Sequence, residues 1–330
     1  MSSLEKYFEP FRRNIVGINQ KFESPYGEKL IVYADWIASG RLYAPIENKM
    51  LNQFGPFIGN THTETSITGT TMTNAYHYAK SIIKKHCNAS DDDVLITAGS
   101  GMTSVINKFQ RILGFKIPEQ YKDYIDIPKE LKPVVFLTHM EHHSNQTSWY
   151  ETIADTVVIE PTKEGLVDIE KLKAALNKYK NRKLKIGSFS ACSNVTGVRT
   201  PYYELAKIMH QNGGYCFVDF AASAPYDNIN MHPENKEERL DAIFFSPHKF
   251  LGGPGTSGVL IFNKVLYNLS VPDHPGGGTV EWTNPWGEHR YINSIEDRED
   301  GGTPGFLQAM RTALSIKLKE EMGKVQVHNV

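Results

Sequence analysis

A lysine and an aspartate, each at the end of an apolar run, are the residues of this chain best suited to covalent chemistry. Lys249 follows an apolar run at 242–245, and Asp219 ends another at 215–218. Burial beside a strand favours the neutral lysine amine, which is the form that attacks an aldehyde. These are the two groups that pyridoxal phosphate requires, because the lysine forms a Schiff base with its aldehyde and the acid pairs with its pyridinium nitrogen.

Each of the two residues also has an ordinary explanation. A lysine after a strand is usually a solvated surface residue, and an aspartate at a strand end is usually a turn former or a helix cap. The cofactor hypothesis therefore depends on the other polar segments of the chain.

A glycine-rich turn at Gly99-Ser100-Gly101 follows an apolar strand pattern and precedes a helical one. Free N–H groups at a helix N-terminus favour an anion, and Ser100 and Thr103 could add hydroxyl donors. The turn lacks the further glycines of a dinucleotide site and the lysine of a Walker A loop. Alone it is more typical of an ordinary tight turn, so it indicates a phosphate site only in combination with Lys249 and Asp219.

Three histidines cluster at His139, His142 and His143, and Asn194 ends a later strand pattern. Zinc binding is the obvious alternative, but adjacent side chains in an extended segment point to opposite faces and no convincing further ligands accompany them. We therefore predict no metal, and we expect one flat imidazole to stack on a flat ring. Asn194 could donate to a phenolate oxygen, or it could simply stabilise a turn.

The elements that must position these residues alternate between strands and helices from about 91 to 263. Apolar runs of strand length are separated by amphipathic segments such as 103–113 and 168–179, and a helix is expected to begin with Thr200 as its N-cap and Pro201 in its first turn. This alternation predicts an α/β fold in which a mostly parallel sheet lies between two layers of helices. Ligands of such sheets bind beyond the carboxyl ends of the strands, where all the segments above fall.

Composition limits the function classes. The 330 residues carry a formal net charge of −1, so nothing indicates a nucleic-acid or membrane-surface partner. The three cysteines are scattered without metal-ligand spacing, and Met1–Lys6 has no apolar signal region. No apolar run is long enough to span a bilayer, so we predict a cytoplasmic protein.

Taken together, the motifs resemble those of the class V aminotransferase and cysteine desulfurase-like family, which are pyridoxal-phosphate enzymes of fold type I. The resemblance extends from about 33 to 304 and depends on the order and rough spacing of many short segments. These segments are Asp35–Gly40, Thr61–Thr63, Gly99–Gly101, Glu141–Asn145, Ser193–Gly197, Val218–Ala221, Ser246–Lys249, Gly276–Thr279 and Gly302–Pro304.

The resemblance implies a role for each residue of the catalytic group. Lys249 would form the internal aldimine and later move the α-proton of the substrate. Asp219 would keep the pyridine nitrogen protonated, so that the ring accepts electrons. His142 would stack on the ring, and Asn194 would face its O3′ oxygen.

The resemblance also implies a phosphate site and a shared dimer site. The residues that would bind the phosphate are Ser100, Gly101, Ser246 and His248. His62 is similar to a family histidine near the substrate. Thr279 would bind cofactor across the interface of a homodimer.

Two features depart from the family pattern. Ala222 stands where desulfurases often carry a glutamine, which removes an amide near O3′. The family's C-terminal small domain, which usually supplies a carboxylate-binding arginine and the persulfide cysteine, is expected to be largely missing. We therefore divide the chain into an N-terminal helical arm (1–30), a cofactor-binding large domain (31–305) and a helix leading toward a truncated small domain (306–330).

The sequence leaves several functions open. The leading prediction is a pyridoxal-phosphate enzyme of the class V aminotransferase type acting on an amino-group substrate. A cysteine desulfurase-like or other β/γ-lyase is the alternative among enzymes, since elimination shares its early steps with transamination. A non-catalytic, truncated protein acting as a partner or regulator is the alternative from another class, and a cofactor-free nucleotide-binding module fits least well.

Overall fold

A seven-stranded sheet forms the centre of the protein in a computed structural model, which describes residues 3–61 and 65–323. The strands are β1 (Lys21–Ser24), β2 (Gly27–Leu30), β3 (Asp93–Ala98), β4 (Val134–Thr138), β5 (Asp155–Ile159), β6 (Lys185–Ser190), β7 (Tyr215–Asp219), β8 (Ala242–Phe245), β9 (Gly258–Asn263), β10 (Val280–Thr283) and β11 (His289–Tyr291). The central sheet has the order β3-β9-β8-β7-β6-β4-β5, and β9 alone among these seven strands is antiparallel to its neighbours.

Helices cover both faces of this sheet. They are α1 (Ser3–Arg12), α2 (Ala44–Lys49), α3 (Ile67–His86), α4 (Met102–Ile112), α5 (His143–Tyr150), α6 (Ile169–Lys178), α7 (Tyr202–Gln211), α8 (Ile295–Arg298) and α9 (Phe306–Met322). Successive strand residues point to opposite faces, so Val134 and Phe136 of β4 join the core under α3, α6, α7 and α9, while Val135 and Leu137 join the core under α4 and α5. The predicted three-layer architecture with a mostly parallel sheet is confirmed.

The start of α7 differs from the prediction. Its N-cap is Pro201, and Thr200 lies one residue earlier. The Thr200 hydroxyl instead donates to the Ser190 carbonyl at 2.6 Å, which ties this helix entrance to the end of β6. A hydroxyl can accept from the N–H groups of a helix or donate to a carbonyl elsewhere, and sequence spacing alone does not decide between the two.

The N-terminal arm is only partly helical, so the prediction of a helical arm over 1–30 is wrong for its second half. After α1 the chain forms the β1–β2 hairpin, in which Ser24 pairs with Gly27. Pro25 and Tyr26 occupy the turn, and Gly27 has a φ of +83°, a conformation that glycine adopts without strain.

The last helix packs against the third. Phe306, Ala309 and Met310 of α9 form a buried cluster with Met72 and Tyr76 of α3. The helix predicted over 306–322 is therefore present, while the domain boundary placed at 305 stays a prediction and 324–330 lie outside the described residues. Within the ranges that the structure describes, no helix is both long and apolar enough to cross a membrane.

Candidate active site

A cavity of about 520 Å³ lies at the edge of the sheet where β3, β4, β6, β7 and β8 end. It is lined by eight of the site residues predicted from the sequence. Those lining residues are Ser100, Gly101, His142, Asn194, Asp219, Ser246, His248 and Lys249. Because the parallel strands share their direction, side chains that are up to 149 residues apart in the chain meet at one edge.

The turn between β3 and α4 forms one wall of this cavity. Gly99 has a φ of +55°, and a Cβ there would lie 2.2 Å from Ser104 Oγ, so the turn requires glycine. The Met102 N–H, in the first turn of α4, donates to Ser246 Oγ at 2.8 Å. This bond joins the turn to the end of β8 and places two hydroxyls, those of Ser100 and Ser246, beside a helix N-terminus that favours an anion.

Asp219 is the last residue of β7 and is 4 % exposed. Its Oδ1 accepts a hydrogen bond from the Ala221 N–H at 2.8 Å. Burial raises the pKa of Asp219 to about 7; the Ala221 N–H lowers it, nearby Glu141 raises it and Lys249 lowers it. A buried carboxyl that lines a cavity and accepts few protein hydrogen bonds is suited to a cationic N–H group of a ligand.

Lys249 lies in a 3₁₀ turn, Pro247–Lys249, directly after β8. Its backbone N–H donates to the Ser246 carbonyl at 3.1 Å, which closes this turn. Burial lowers the pKa of Lys249, and the charges of Asp219 and Asp35 oppose that effect only in part. The neutral amine is therefore easier to form than in a solvated lysine, as the sequence predicted.

The His142 ring is held at the start of α5. His142 is the N-cap of this helix, and its Nδ1 accepts a hydrogen bond from the Ser144 N–H at 3.2 Å. The proton of the neutral ring is then on Nε2. Burial and the charge of Lys249 lower the pKa of His142, so a neutral imidazole faces the cavity at physiological pH.

Asn194 belongs to a tight loop after β6. The Ser193 hydroxyl accepts from the Val195 and Thr196 N–H groups, each at 3.2 Å. The Ser193 N–H also donates to the Val198 carbonyl at 2.9 Å, so the loop is closed on itself. The side chain of Asn194 is thereby available to the cavity that it lines.

Thr279 is the one predicted site residue, among those that the structure describes, that does not line this cavity. Thr279 is fully buried in the loop before β10, where its hydroxyl donates to the Gly276 carbonyl at 2.6 Å. His62 lies outside the described residues.

The sequence analysis assigned no individual role to three residues at or beside the cavity. Ser190 and Cys192 line it, and Glu141, the residue before His142, is buried. The available signal was the parallel register, which places Ser190 directly opposite Asp219. The Cys192 thiol is half-buried, and burial raises its pKa, so it is a weaker nucleophile than an ordinary cysteine.

The residues present fit pyridoxal phosphate. The carboxyl of Asp219 ends β7, and the amine of Lys249 comes from the turn that follows the neighbouring strand β8. A Cβ at Gly101 would lie 3.2 Å from Ser246 Oγ, so glycine keeps this wall of the cavity free of a side chain and lets a phosphate approach the backbone closely. Among the residues that the structure describes, no group of three or more His, Cys, Asp or Glu side chains could hold a metal ion.

Comparison with known protein families gives one match over most of the chain. The model of the aminotransferase class-V family matches residues 32–330. A probable cysteine desulfurase of Halalkalibacterium halodurans is 26 % identical over 302 residues, which cover 89 % of this chain and 68 % of that protein. A probable cysteine desulfurase of Staphylococcus epidermidis is 27 % identical over 316 residues, which cover 93 % and 70 % of the two chains.

Solved structures share the fold. A cysteine desulfurase from Thermococcus onnurineus superposes with a TM-score of 0.74 at 22 % identity, over 96 % of this chain and 72 % of that one. The cysteine desulfurase CsdA from Escherichia coli superposes with a TM-score of 0.69 at 21 % identity, over 96 % and 73 %. At these identities the likeness establishes the architecture of the sheet and its helices.

Proposed function

Because the chain belongs to the class V aminotransferase family of pyridoxal-phosphate-dependent enzymes, we propose that it transforms an amino-group substrate in the cavity around Lys249. The observation that carries this proposal is that Lys249 and Asp219 line the same cavity. Lys249 lies in the turn after β8, and Asp219 is the last residue of the adjacent parallel strand β7. Burial raises the pKa of Asp219 to about 7 and lowers the pKa of Lys249, so each group takes its neutral form more readily than a solvated one does.

The cofactor, when bound, supplies an electron-accepting ring that stabilises negative charge on the substrate's α-carbon. Lys249 would hold the aldehyde through its Nζ atom and afterwards move the α-proton of the substrate. Asp219 would hold a proton at the pyridine nitrogen, because its carboxylate is buried and favours a cationic partner. His142 would cover one face of the ring and exclude water from it.

The phosphate would bind beside the β3–α4 turn. The four residues proposed to bind it are Ser100, Gly101, Ser246 and His248. Burial lowers the pKa of His248, and the charge of Lys249 lowers it further, so we expect a neutral imidazole that donates one hydrogen bond. Asn194, which lines the same cavity, would donate to the phenolate oxygen.

Desulfuration is the second candidate reaction, and the names of the relatives favour it. Ala222, which lines the cavity, opposes it because an alanine cannot supply the amide that desulfurases often have there. Cys87 and Cys216 are buried, and burial raises the pKa of the half-buried Cys192 thiol, so none of the three is an evident sulfur acceptor. We therefore keep transamination as the leading reaction, with a β/γ-lyase second and a non-catalytic regulator third.

A homodimer is part of the proposal. Thr279 is itself buried, although residues 274–277 before it are exposed, and it does not line the cavity of its own chain. Binding cofactor in a second copy would give this residue the role that the family resemblance implies. His62 remains the proposed substrate-side residue, and the cytoplasm remains the predicted location.

The first test is covalent trapping of the cofactor. The wild-type protein is loaded with pyridoxal phosphate, reduced with borohydride and digested, and the modified peptide is identified by mass spectrometry. We expect the label on Lys249, none in Lys249→Ala, and an unchanged label in Lys264→Ala, whose lysine is paired with Asp92 at the surface. A trapped adduct that persists in Lys249→Ala would refute the assignment.

A panel of amino acids with several keto-acid acceptors then separates the candidate reactions. Amino-group transfer to a keto acid supports the leading reaction, and release of sulfide from cysteine supports the second. Bound cofactor without turnover of any substrate supports the regulator.

A further inference from the structure

A buried carboxylate beside the cavity accepts four hydrogen bonds. Glu141 Oε1 accepts from the Thr138 N–H at 3.2 Å and from the Thr138 hydroxyl at 2.6 Å. Its Oε2 accepts from Asn145 Nδ2 and from the Ser190 hydroxyl, each at 2.7 Å. This single side chain therefore connects the end of β4, the first turn of α5 and the end of β6.

The donors on both sides of Glu141 are fixed. The Thr138 N–H belongs to the backbone and cannot reverse. The orientation of the Asn145 amide is also set, because its Oδ1 accepts from the Ser188 hydroxyl at 2.7 Å and from Trp149 Nε1 at 3.2 Å. Each oxygen of Glu141 therefore faces a donor that cannot turn to present an acceptor instead. Such fixed donors offset the free-energy cost of burying a carboxylate.

The location of the network distinguishes it from ordinary core packing. The residue after Glu141 is His142, which lines the cavity and begins α5, and Ser190 lines the same cavity opposite Asp219. An apolar core would hold these elements together equally well. A carboxylate with four donors adds a defined orientation, since each hydrogen bond has a preferred direction.

We propose that Glu141 is a positioning residue that holds the His142 ring in place over the cofactor. This inference depends on the proposed function for the identity of the cofactor. The carboxylate fixes the chain on both sides of residue 142, at Thr138 and Asn145, so the ring keeps one orientation when the cofactor enters. Glu141 itself is not among the residues that line the cavity, so we assign it no contact with the substrate.

The test uses Glu141→Gln, which preserves size but places an amide NH₂ against a fixed donor on one side. Glu296→Gln is the matched control. Glu296 accepts from the Leu95 N–H at 2.9 Å and pairs with Lys80 and Lys84 at 3.0 and 2.9 Å, and it does not line the cavity. Each variant loses one carboxylate that has several hydrogen-bond or ion-pair partners. Urea unfolding measures the free energy of unfolding of both variants, so that a loss of stability is not mistaken for a change at the cavity.

Three readouts are compared. The first is the ¹⁵N spectrum of the His142 ring in cofactor-free protein, assigned with His142→Gln. The second is the dissociation constant for pyridoxal phosphate, and the third is the visible circular dichroism of the bound cofactor. In Glu141→Gln we expect the Nδ1 and Nε2 resonances of His142 to move or broaden, the affinity to fall about tenfold, and the dichroic band to lose about half its amplitude.

The proposal is overturned if Glu141→Gln keeps the wild-type ring resonances and binds cofactor within about twofold of wild type, or if Glu296→Gln shows the same losses. If the wild-type protein does not bind pyridoxal phosphate, the proposed function fails, and the ring spectrum still decides the role of Glu141. If Glu141→Gln does not fold, Ser190→Ala replaces it, because that change removes one donor and is expected to move the same resonances less.

Discussion

Replacing Asp219 with asparagine should stabilise the cofactor-free protein while weakening cofactor binding. Asparagine has the shape of the protonated acid, and its Oδ1 can still accept from the Ala221 N–H. The carboxylate is 4 % exposed, and burial raises its pKa from 3.8 to about 7. The folded protein therefore keeps a proton that the unfolded chain releases.

The sign and size of the effect follow from this difference. Between pH 4 and 7 the folded state binds one more proton at Asp219 than the unfolded state, so the free energy of unfolding decreases as pH rises. With the pKa values of 3.8 and about 7, Asp219 costs about 4 kcal/mol of stability above pH 7, and about 2 kcal/mol of that cost is already present at pH 5. The advantage of Asp219→Asn over wild type should therefore grow by about 2 to 3 kcal/mol between pH 5 and pH 8.

The assay is urea unfolding of cofactor-free wild-type and variant protein at both pH values, followed by tryptophan fluorescence. Trp149 is fully buried and should report loss of the core between α5 and the sheet. Asp92→Asn is the control, because Asp92 is exposed and its hydrogen bond to Lys264 lowers its pKa, so it stays ionised in both states throughout this range. Its variant should show the same difference from wild type at both pH values.

The reasoning is refuted if the stability difference between Asp219→Asn and wild type does not change between the two pH values. It is also refuted if the variant is more stable and binds pyridoxal phosphate as tightly as wild type, since the carboxylate would then have no partner in the cofactor. The expected result is a destabilising residue that is retained for its interaction with a ligand.

Two further substitutions test the turn between β3 and α4, beside which the phosphate is proposed to bind. Gly101→Ala should weaken pyridoxal phosphate binding about tenfold, because the new Cβ would lie 3.2 Å from Ser246 Oγ and 3.5 Å from the His248 ring. Equal affinities of Gly101→Ala and the control Gly55→Ala in a cofactor titration would contradict this expectation. Gly258→Ala should lower the free energy of unfolding by about 3 kcal/mol, because its Cβ would lie 2.2 Å from the Gly101 carbonyl oxygen; urea unfolding with a loss below about 1 kcal/mol would show that the backbone can move apart.

The sequence predicted the strands around the cavity well. Buried strands such as β4 and β7 are continuous apolar runs bounded by polar residues, and that pattern survives without knowledge of their neighbours. Because parallel strands end at one edge, Asp219 and Lys249 could be placed together before their separation was known. The chemistry of the edge then follows from residue type, since burial lowers the pKa of an amine and raises the pKa of a carboxyl.

What the sequence could not provide depends on direction and on partners that are distant in the chain. The apolar run of β9 has the same pattern whether the strand is parallel or antiparallel, so its reversal was not predicted. The hydroxyl of Thr200 has an acceptor on β6 that no local rule reveals. In the sequence, Glu141 looked like part of a histidine motif. Its four hydrogen bonds could not be predicted, because they depend on the packing of β4, α5 and β6.

The position of β3 has a consequence for how the protein is made. β3 lies at the end of the central sheet and pairs with β9, whose residues are synthesised about 160 residues later. Ala98 pairs with Gly258, so the turn that follows β3, where we propose that the phosphate binds, has no sheet partner while the ribosome is still translating the middle of the chain. The nascent protein therefore reaches the end of β9 before the proposed phosphate site can form, and we expect cofactor loading only in the last part of translation or in the released chain.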